Sequence, residues 1–184
     1  AQELIKNTVC PVGGVLPYET CRAILDMYNI PRPKDIVVTT KDEAIKAWQA
    51  LGSPVALKIL SQEVIHKTDS GGVVLSLDSE EGVLQVAERL LSQTSDARVL
   101  VQKMAERGVE LIAGTSHDSA FGPCVAAGLG GIFAETLEEV THRLPPFNED
   151  EAQKMLCSPR IAKALNGLRG GLPANISAAG KVLS

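Results

Sequence analysis

Apolar positions along this chain fall into alternating helical and extended periods. Cys21, Ile24, Leu25 and Tyr28 recur at helical spacing behind Pro17 and predict a helix docked after residues 1–16. That leading segment holds Pro11, Gly13 and Gly14 and reads as a tether. The short β-branched run at 36–40 predicts a strand, and Thr40 with Glu43 has capping-box spacing. The helix it opens carries Ala44, Ala47, Trp48 and Leu51 on its apolar side and stops at Gly52. Residues 55–60 and 72–77 predict two more strands around a polar loop. Asp78 or Ser79 then caps a helix that buries Val83, Val86, Ala87, Leu90 and Leu91.

In the second half, residues 98–104 and 109–113 read as strands around a Glu106-Arg107-Gly108 turn. Residues 123–127 pair with the second of them across a loop at 116–122, which predicts an antiparallel meander. Gly128-Leu129-Gly130-Gly131 is a glycine-rich segment, 141–144 a short strand, and Asn148 with Glu151 caps a helix ending near Cys157. A helix at 159–166 follows, then Gly170-Gly171-Leu172-Pro173-Ala174-Asn175 and the start of a last helix with no stop signal before Ser184. Units of β then α followed by a β-meander predict an α+β (mixed α/β) fold in two lobes. The division expected is a tether at 1–16 and one domain at 17–184 whose C-terminal end is incomplete.

Composition narrows the function. Of 184 residues 45% are hydrophobic and 22% charged, enough apolar material for a buried core. A net charge of −4, with no arginine-rich run and no aromatic ladder, argues against nucleic acid as a partner. Cys10, Cys21, Cys124 and Cys157 are far apart and form no Cys-x-x-Cys pair, so a zinc site and a disulfide framework are not signalled. No apolar run approaches the roughly 20 residues that cross a bilayer, and the N-terminus lacks a secretory pattern, so the expectation is a soluble, cytoplasmic protein without membrane contact.

The chemistry concentrates in His66-Lys67-Thr68-Asp69-Ser70-Gly71-Gly72-Val73, eight residues beyond Lys58. An imidazole, two ammonium groups and a glycine pair in one strand-loop-strand unit suit a polyphosphate, because lysine offsets its charge and glycine lets backbone N–H groups approach its oxygens. Lys58 interrupts an apolar strand, where an ammonium needs an anion or a carboxylate unless it snorkels from an edge. His66 is either a turn residue bonded to Asp69 or a phosphoryl carrier whose neutral nitrogen attacks phosphorus. Glu110 either accepts ribose hydroxyls or lies on a solvated face, and Gln102 and Lys103 either border an adenine or are ordinary alternating polar residues. Glu135, Glu138 and Glu139 either hold Mg²⁺ or solvate a surface. His117 and His142 read as isolated. A Walker loop, a dinucleotide fingerprint and a Gly-x-Ser-x-Gly elbow are all missing from the sequence.

Taken in order, several segments resemble the ATP-grasp module of the NDP-forming acyl-CoA synthetases, the beta-subunit-like part of ADP-forming acetyl-CoA synthetase. They are Tyr28-Asn29-Ile30-Pro31, Pro54-Val55-Ala56-Leu57-Lys58-Ile59 with Ser61, the run from His66 to Val73, and Val101-Gln102-Lys103-Met104 with Gly108-Val109-Glu110-Leu111-Ile112. They continue with Asp118 and Phe121-Gly122-Pro123, then Gly128 to Glu135, then Arg143-Leu144-Pro145-Pro146. The resemblance implies a two-lobed ATP-grasp fold with ATP or ADP and Mg²⁺ between the lobes. It implies the reaction acyl-CoA + ADP + phosphate ⇌ acid + CoA + ATP, with a small-molecule acyl substrate. It assigns His66 to a phosphohistidine relay. Lys58, Lys67, Gly71, Gly72, Gln102, Lys103, Met104 and Glu110 go to the nucleotide, and Glu135 is a metal candidate. The CoA-binding and ligase modules are then partners, on the same or another chain, and this chain alone is expected to be inactive. The family commonly has aspartate where Asn175 and Glu139 stand, and continues to a strand with an acid and Asn-Pro, so the chain is expected to be a fragment. Related architecture fused to protein lysine acetyltransferases implies the alternative, a ligand-sensing module without turnover.

Overall fold

A computed structural model describes Glu3 and residues 16–61, 71–106, 108–131, 140–165 and 174–184. Two compact units divide the chain, Ala1–Ala105 and Glu106–Ser184.

The first unit contains α1 (Tyr18–Met27), β1 (Asp35–Val38), α2 (Lys41–Leu51), β2 (Val55–Leu60), β3 (Val73–Leu77), α3 (Glu80–Leu91) and β4 (Arg98–Lys103). Its sheet runs β1-β4-β2-β3 with every neighbouring pair antiparallel. β1 and β2 therefore run parallel with β4 between them, and β3 and β4 run parallel with β2 between them. These are two interleaved split β-α-β units, which put both crossover helices on one face. Register sends Val55, Leu57 and Ile59 of β2 and Val99 and Val101 of β4 to that face, where they meet Ala44 and Ala47 of α2 and Val83, Ala87 and Leu90 of α3. All of these are buried; a large aliphatic side chain so removed from water contributes about 1.5–3 kcal/mol.

Both helix starts follow the sequence reading. The Thr40 hydroxyl accepts from the Glu43 N–H, and that of Ser79 accepts from the Gly82 N–H. The reciprocal arm of the first cap lands one residue early, with the Glu43 carboxylate taking the N–H and hydroxyl of Thr39 at 2.8 and 3.0 Å. α1 is tied to the opposite sheet face. Its Tyr18 hydroxyl donates to Asp35 at 2.6 Å, Arg22 stands 3.4 Å from the same carboxylate, and Glu19 pairs with Arg98.

The second unit contains β5 (Leu111–Asp118), β6 (Gly122–Leu129), β7 (Val140–Arg143), α4 (Glu149–Met155), α5 (Pro159–Leu165) and α6 (Ile176–Leu183), with the antiparallel order β5-β6-β7. Ala127 and Leu129 pack with Met155, Leu156, Ile161 and Leu165. Asn148 and Asn175 cap α4 and α6 through their side-chain oxygens. α4 and α6 touch at Gly180, where a Cβ would stand 2.7 Å from Gln153 Cγ. The hairpin is longer than its apolar pattern. β5 continues through Ser116, His117 and Asp118, which the sequence reading left to a loop, because the backbone ladder to β6 holds these exposed polar residues extended. Among the described residues no helix is long and apolar enough to cross a membrane.

Candidate functional site

Lys58 occupies an interior strand. It pairs with Leu100 of β4 on one side and Val73 of β3 on the other, and it alone is half-buried in a strand whose other five residues are buried. Its ammonium donates to the side-chain oxygen of Gln102 at 2.9 Å. Gln102 faces Ala56, two residues along β2 from Lys58, so the two are diagonal neighbours on one sheet face. A glutamine oxygen satisfies one of three ammonium donors and leaves the positive charge intact. Among the described residues no carboxylate forms an ion pair with Lys58. The result is a cation sheltered by the sheet with two donors left for an anion.

The glycine pair stands beside it. Gly72 O accepts from the Ile59 N–H at 2.8 Å, and Gly71 at φ +67° accepts from Arg89 at 3.2 Å. Arg89, in the last turn of α3, had no periodic or motif signal in the sequence. On the other side of the loop, Ser61 Oγ donates to Asp96 at 2.6 Å and Thr94 Oγ1 donates to Asp96 at 2.9 Å. Both ends of the loop between β2 and β3 are thus fastened. His66 and Lys67 lie outside the described residues, as does Glu135.

Lys103 does something its sequence context did not announce. Its ammonium caps the C-terminal end of α2, donating to Gly52 O at 2.9 Å and Ser53 O at 2.7 Å, where that helix has no basic residue of its own. The N–H groups of Lys103 and Met104 are bonded to Lys34 O and Pro54 O. The Lys103 ammonium and these two N–H groups are thus engaged within the fold.

Glu110, exposed in the second unit, directly precedes β5, and its carbonyl accepts from the Gly130 N–H at 2.8 Å. The same unit has a concavity of about 450 Å³ lined by Ser116, His117, Phe121, Cys124, His142 and Arg143, so the two histidines read as isolated share one wall. Asp118, also on its lining, is engaged in the turn: the N–H groups of Phe121 and Ala120 hold its carboxyl below the usual range. In the first unit, a concavity of about 610 Å³ is bordered by Arg22, Asp26, Arg32 and Asp35 but not Lys58. Its guanidinium groups are engaged by the two aspartates. Among the described residues no group of three or more His, Cys, Asp or Glu side chains suits a metal ion.

Comparison with known proteins is consistent along the whole chain. The ATP-grasp domain family matches residues 13–184. Acetate–CoA ligase [ADP-forming] I subunit beta of Pyrococcus furiosus is 33% identical over 100% of this chain and 82% of its own length. Acetate–CoA ligase [ADP-forming] II of Archaeoglobus fulgidus is 37% identical over 80% of this chain. The chain spans only 22%, 24% and 27% of the length of three of the ADP-forming CoA ligases it matches. Among solved structures, the dinucleotide forming acetyl-coenzyme A synthetase 1 of Ca. Korarchaeum cryptofilum, with coenzyme A and Mg-AMPPCP and its phosphohistidine segment pointing towards the nucleotide binding site, has a TM-score of 0.76 at 36% identity. That match covers 91% of this chain and 75% of the other.

Proposed function

This chain belongs to the ATP-grasp domain family, alongside the beta subunits of ADP-forming acetate–CoA ligases, and from that premise we propose that it is the nucleotide-binding part of an ADP-forming acetyl- or acyl-CoA synthetase. The whole enzyme interconverts acyl-CoA, ADP and phosphate with free acid, CoA and ATP. The carrying observation is Lys58, a half-buried ammonium held by the neutral side chain of Gln102 with donors to spare.

In this reading ADP or ATP arrives with Mg²⁺, which offsets phosphate charge during transfer. Lys58 and Lys67 take the phosphates, and the backbone at Gly71 and Gly72 closes over them. Gln102 and the carbonyls of Lys103 and Met104 border the adenine, and Glu110 accepts the ribose hydroxyls. Glu135 is the candidate metal ligand. His66 relays the phosphoryl group: its imidazole nitrogen attacks the phosphorus of a phosphohistidine carried by the ligase modules, the donor nitrogen leaves with its bonding pair as the new phosphorus–nitrogen bond forms, and an ADP β-phosphate oxygen then displaces the His66 nitrogen, which keeps the bonding electron pair. CoA-binding and ligase modules, on the same or another chain, make the acyl phosphate from acyl-CoA and phosphate with release of CoA, and loss of its phosphoryl group frees a small-molecule acid in the cytoplasm.

The test is calorimetric titration of ADP·Mg²⁺ into the protein and into Lys58→Met. Binding by the wild type, weakened about tenfold or more in the variant with its thermal transition retained, supports the reading. A wild-type protein that binds no nucleotide overturns it. Label transferred from [γ-³²P]ATP in the assembled enzyme, acid-labile and lost in His66→Asn, is the corresponding result for the relay.

A further inference from the structure

We propose that Gly131 is a positioning residue for Glu110: the side chain it lacks leaves the space in which the Glu110 carboxylate stands to receive a ribose. The inference rests on the nucleotide reading above and concerns a part of the site that no motif assigns.

The geometry begins with the β5–β6 ladder, whose inner end is the pair Leu111 and Leu129. Glu110 precedes the first strand by one residue and Gly130 follows the second, and the Gly130 N–H donates to the Glu110 carbonyl at 2.8 Å, one pair beyond the ladder. Gly130 sits tightly on this backbone: a Cβ there would stand 3.1 Å from the Leu111 carbonyl carbon and 3.3 Å from that of Glu110. Gly131 then turns to φ +59°. A Cβ on Gly131 would stand 2.3 Å from Glu110 Oε2, inside any permitted contact, a tight 3.0 Å from its Cδ, and 3.6 Å from its Cβ.

The overlap falls on the mobile end of a side chain and spares the backbone. An added methyl therefore leaves the hairpin in place and swings the carboxylate away. This gives the last glycine of the 128–131 segment a role in placing a side chain. Glu110 is exposed, and an ionised carboxylate is an acceptor-only group suited to the paired O–H donors of a ribose. The space left open at residue 131 lets that acceptor stand ready before the nucleotide arrives.

The experiment titrates ADP and 2′,3′-dideoxy-ADP, each with Mg²⁺, into the wild-type protein, Glu110→Ala, Gly131→Ala, Gly131→Asn and the Glu110→Ala/Gly131→Ala double variant. Asparagine accepts positive φ yet carries the Cβ, so G131N separates the contact from backbone strain. The expected result is a loss of about tenfold in ADP affinity in E110A, G131A and G131N alike, no further loss in the double variant, and equal affinities for the dideoxy nucleotide throughout. Loss in E110A with none in G131A or G131N overturns the positioning role, as do additive losses or losses that persist with dideoxy-ADP. Unchanged ADP affinity in E110A overturns both the positioning role and the ribose assignment while leaving nucleotide binding by the protein intact, and absence of ADP binding by the wild type overturns the parent reading.

Discussion

Lys58 and Gln102 meet at 2.9 Å from adjacent interior strands, an ammonium held by a neutral oxygen on the sheet face away from α2 and α3. Neutrality of the acceptor is the functional point, because a carboxylate in its place would consume the charge that attracts phosphate. Gln102→Glu keeps the size and the acceptor and adds that charge. The expected outcome is ADP affinity reduced by about tenfold or more with no loss of thermal stability, since the new ion pair supports the fold. Titration calorimetry alongside a melting curve checks it. Unaltered affinity would mean that Lys58 does not face the nucleotide.

Tyr18 predicts an alkaline limit to stability. Burial, first, and then its hydrogen bond to Asp35 push its phenol well above the ordinary value of 10.0. A raised folded value means that the folded state holds the proton more tightly. This contribution is present below pH 10.0, the unfolded value, and is lost as pH rises toward the higher folded value. Stability measured by urea denaturation should therefore fall with pH above about 10 more steeply in the wild type than in Tyr18→Phe. At neutral pH Tyr18→Phe should cost about 1–2 kcal/mol, because the Asp35 carboxylate is buried and loses a donor. Parallel alkaline branches in the two proteins would contradict this.

How far the chain could be read beforehand depended on the range of the interaction. Caps at Thr40, Ser79 and Asn148 act over three residues and were legible, as was Lys58, a lone charge in an apolar run. The outer end of β5 was not, because Ser116, His117 and Asp118 have no apolar alternation and only the partner strand keeps them extended. Lys103 on Gly52 and Ser53, and Glu110 against Gly131, are contacts between residues far apart in the chain, and periodicity carries no record of them. His66 and Lys67, the core of the motif reading, fall outside the described residues.

The β5–β6 turn has a local acid sensitivity. Asp118 receives the N–H groups of Ala120 and Phe121 at 2.8 and 3.0 Å, and these lower its carboxyl below 3.8. A depressed folded value stabilises the turn above pH 3.8, and that contribution is lost as pH falls through the lower folded value. In Asp118→Ala the amides of Ala120 and Phe121 should exchange with solvent faster at neutral pH, and the difference from wild type should shrink below about pH 4. Equal exchange rates at neutral pH would show that the carboxylate does not order this turn.

Gly71 joins the exit of the β2–β3 loop to the sheet beside Lys58, and its φ of +67° is the reason for its identity. A side chain at this angle costs about 1–2 kcal/mol for an ordinary residue and much less for asparagine. Space is a smaller matter, since a Cβ would stand 3.3 Å from the terminal nitrogen of Arg89, a group that can move by a few tenths of an ångström. Gly71→Ala should therefore lower unfolding free energy by about 1 kcal/mol and Gly71→Asn by clearly less. Arg89→Ala, which removes the bond to Gly71 O at 3.2 Å, should cost about 0.5–1 kcal/mol at this exposed site. Equal losses in G71A and G71N would make crowding against Arg89 the cause, and in that case adding Arg89→Ala to G71A would restore stability.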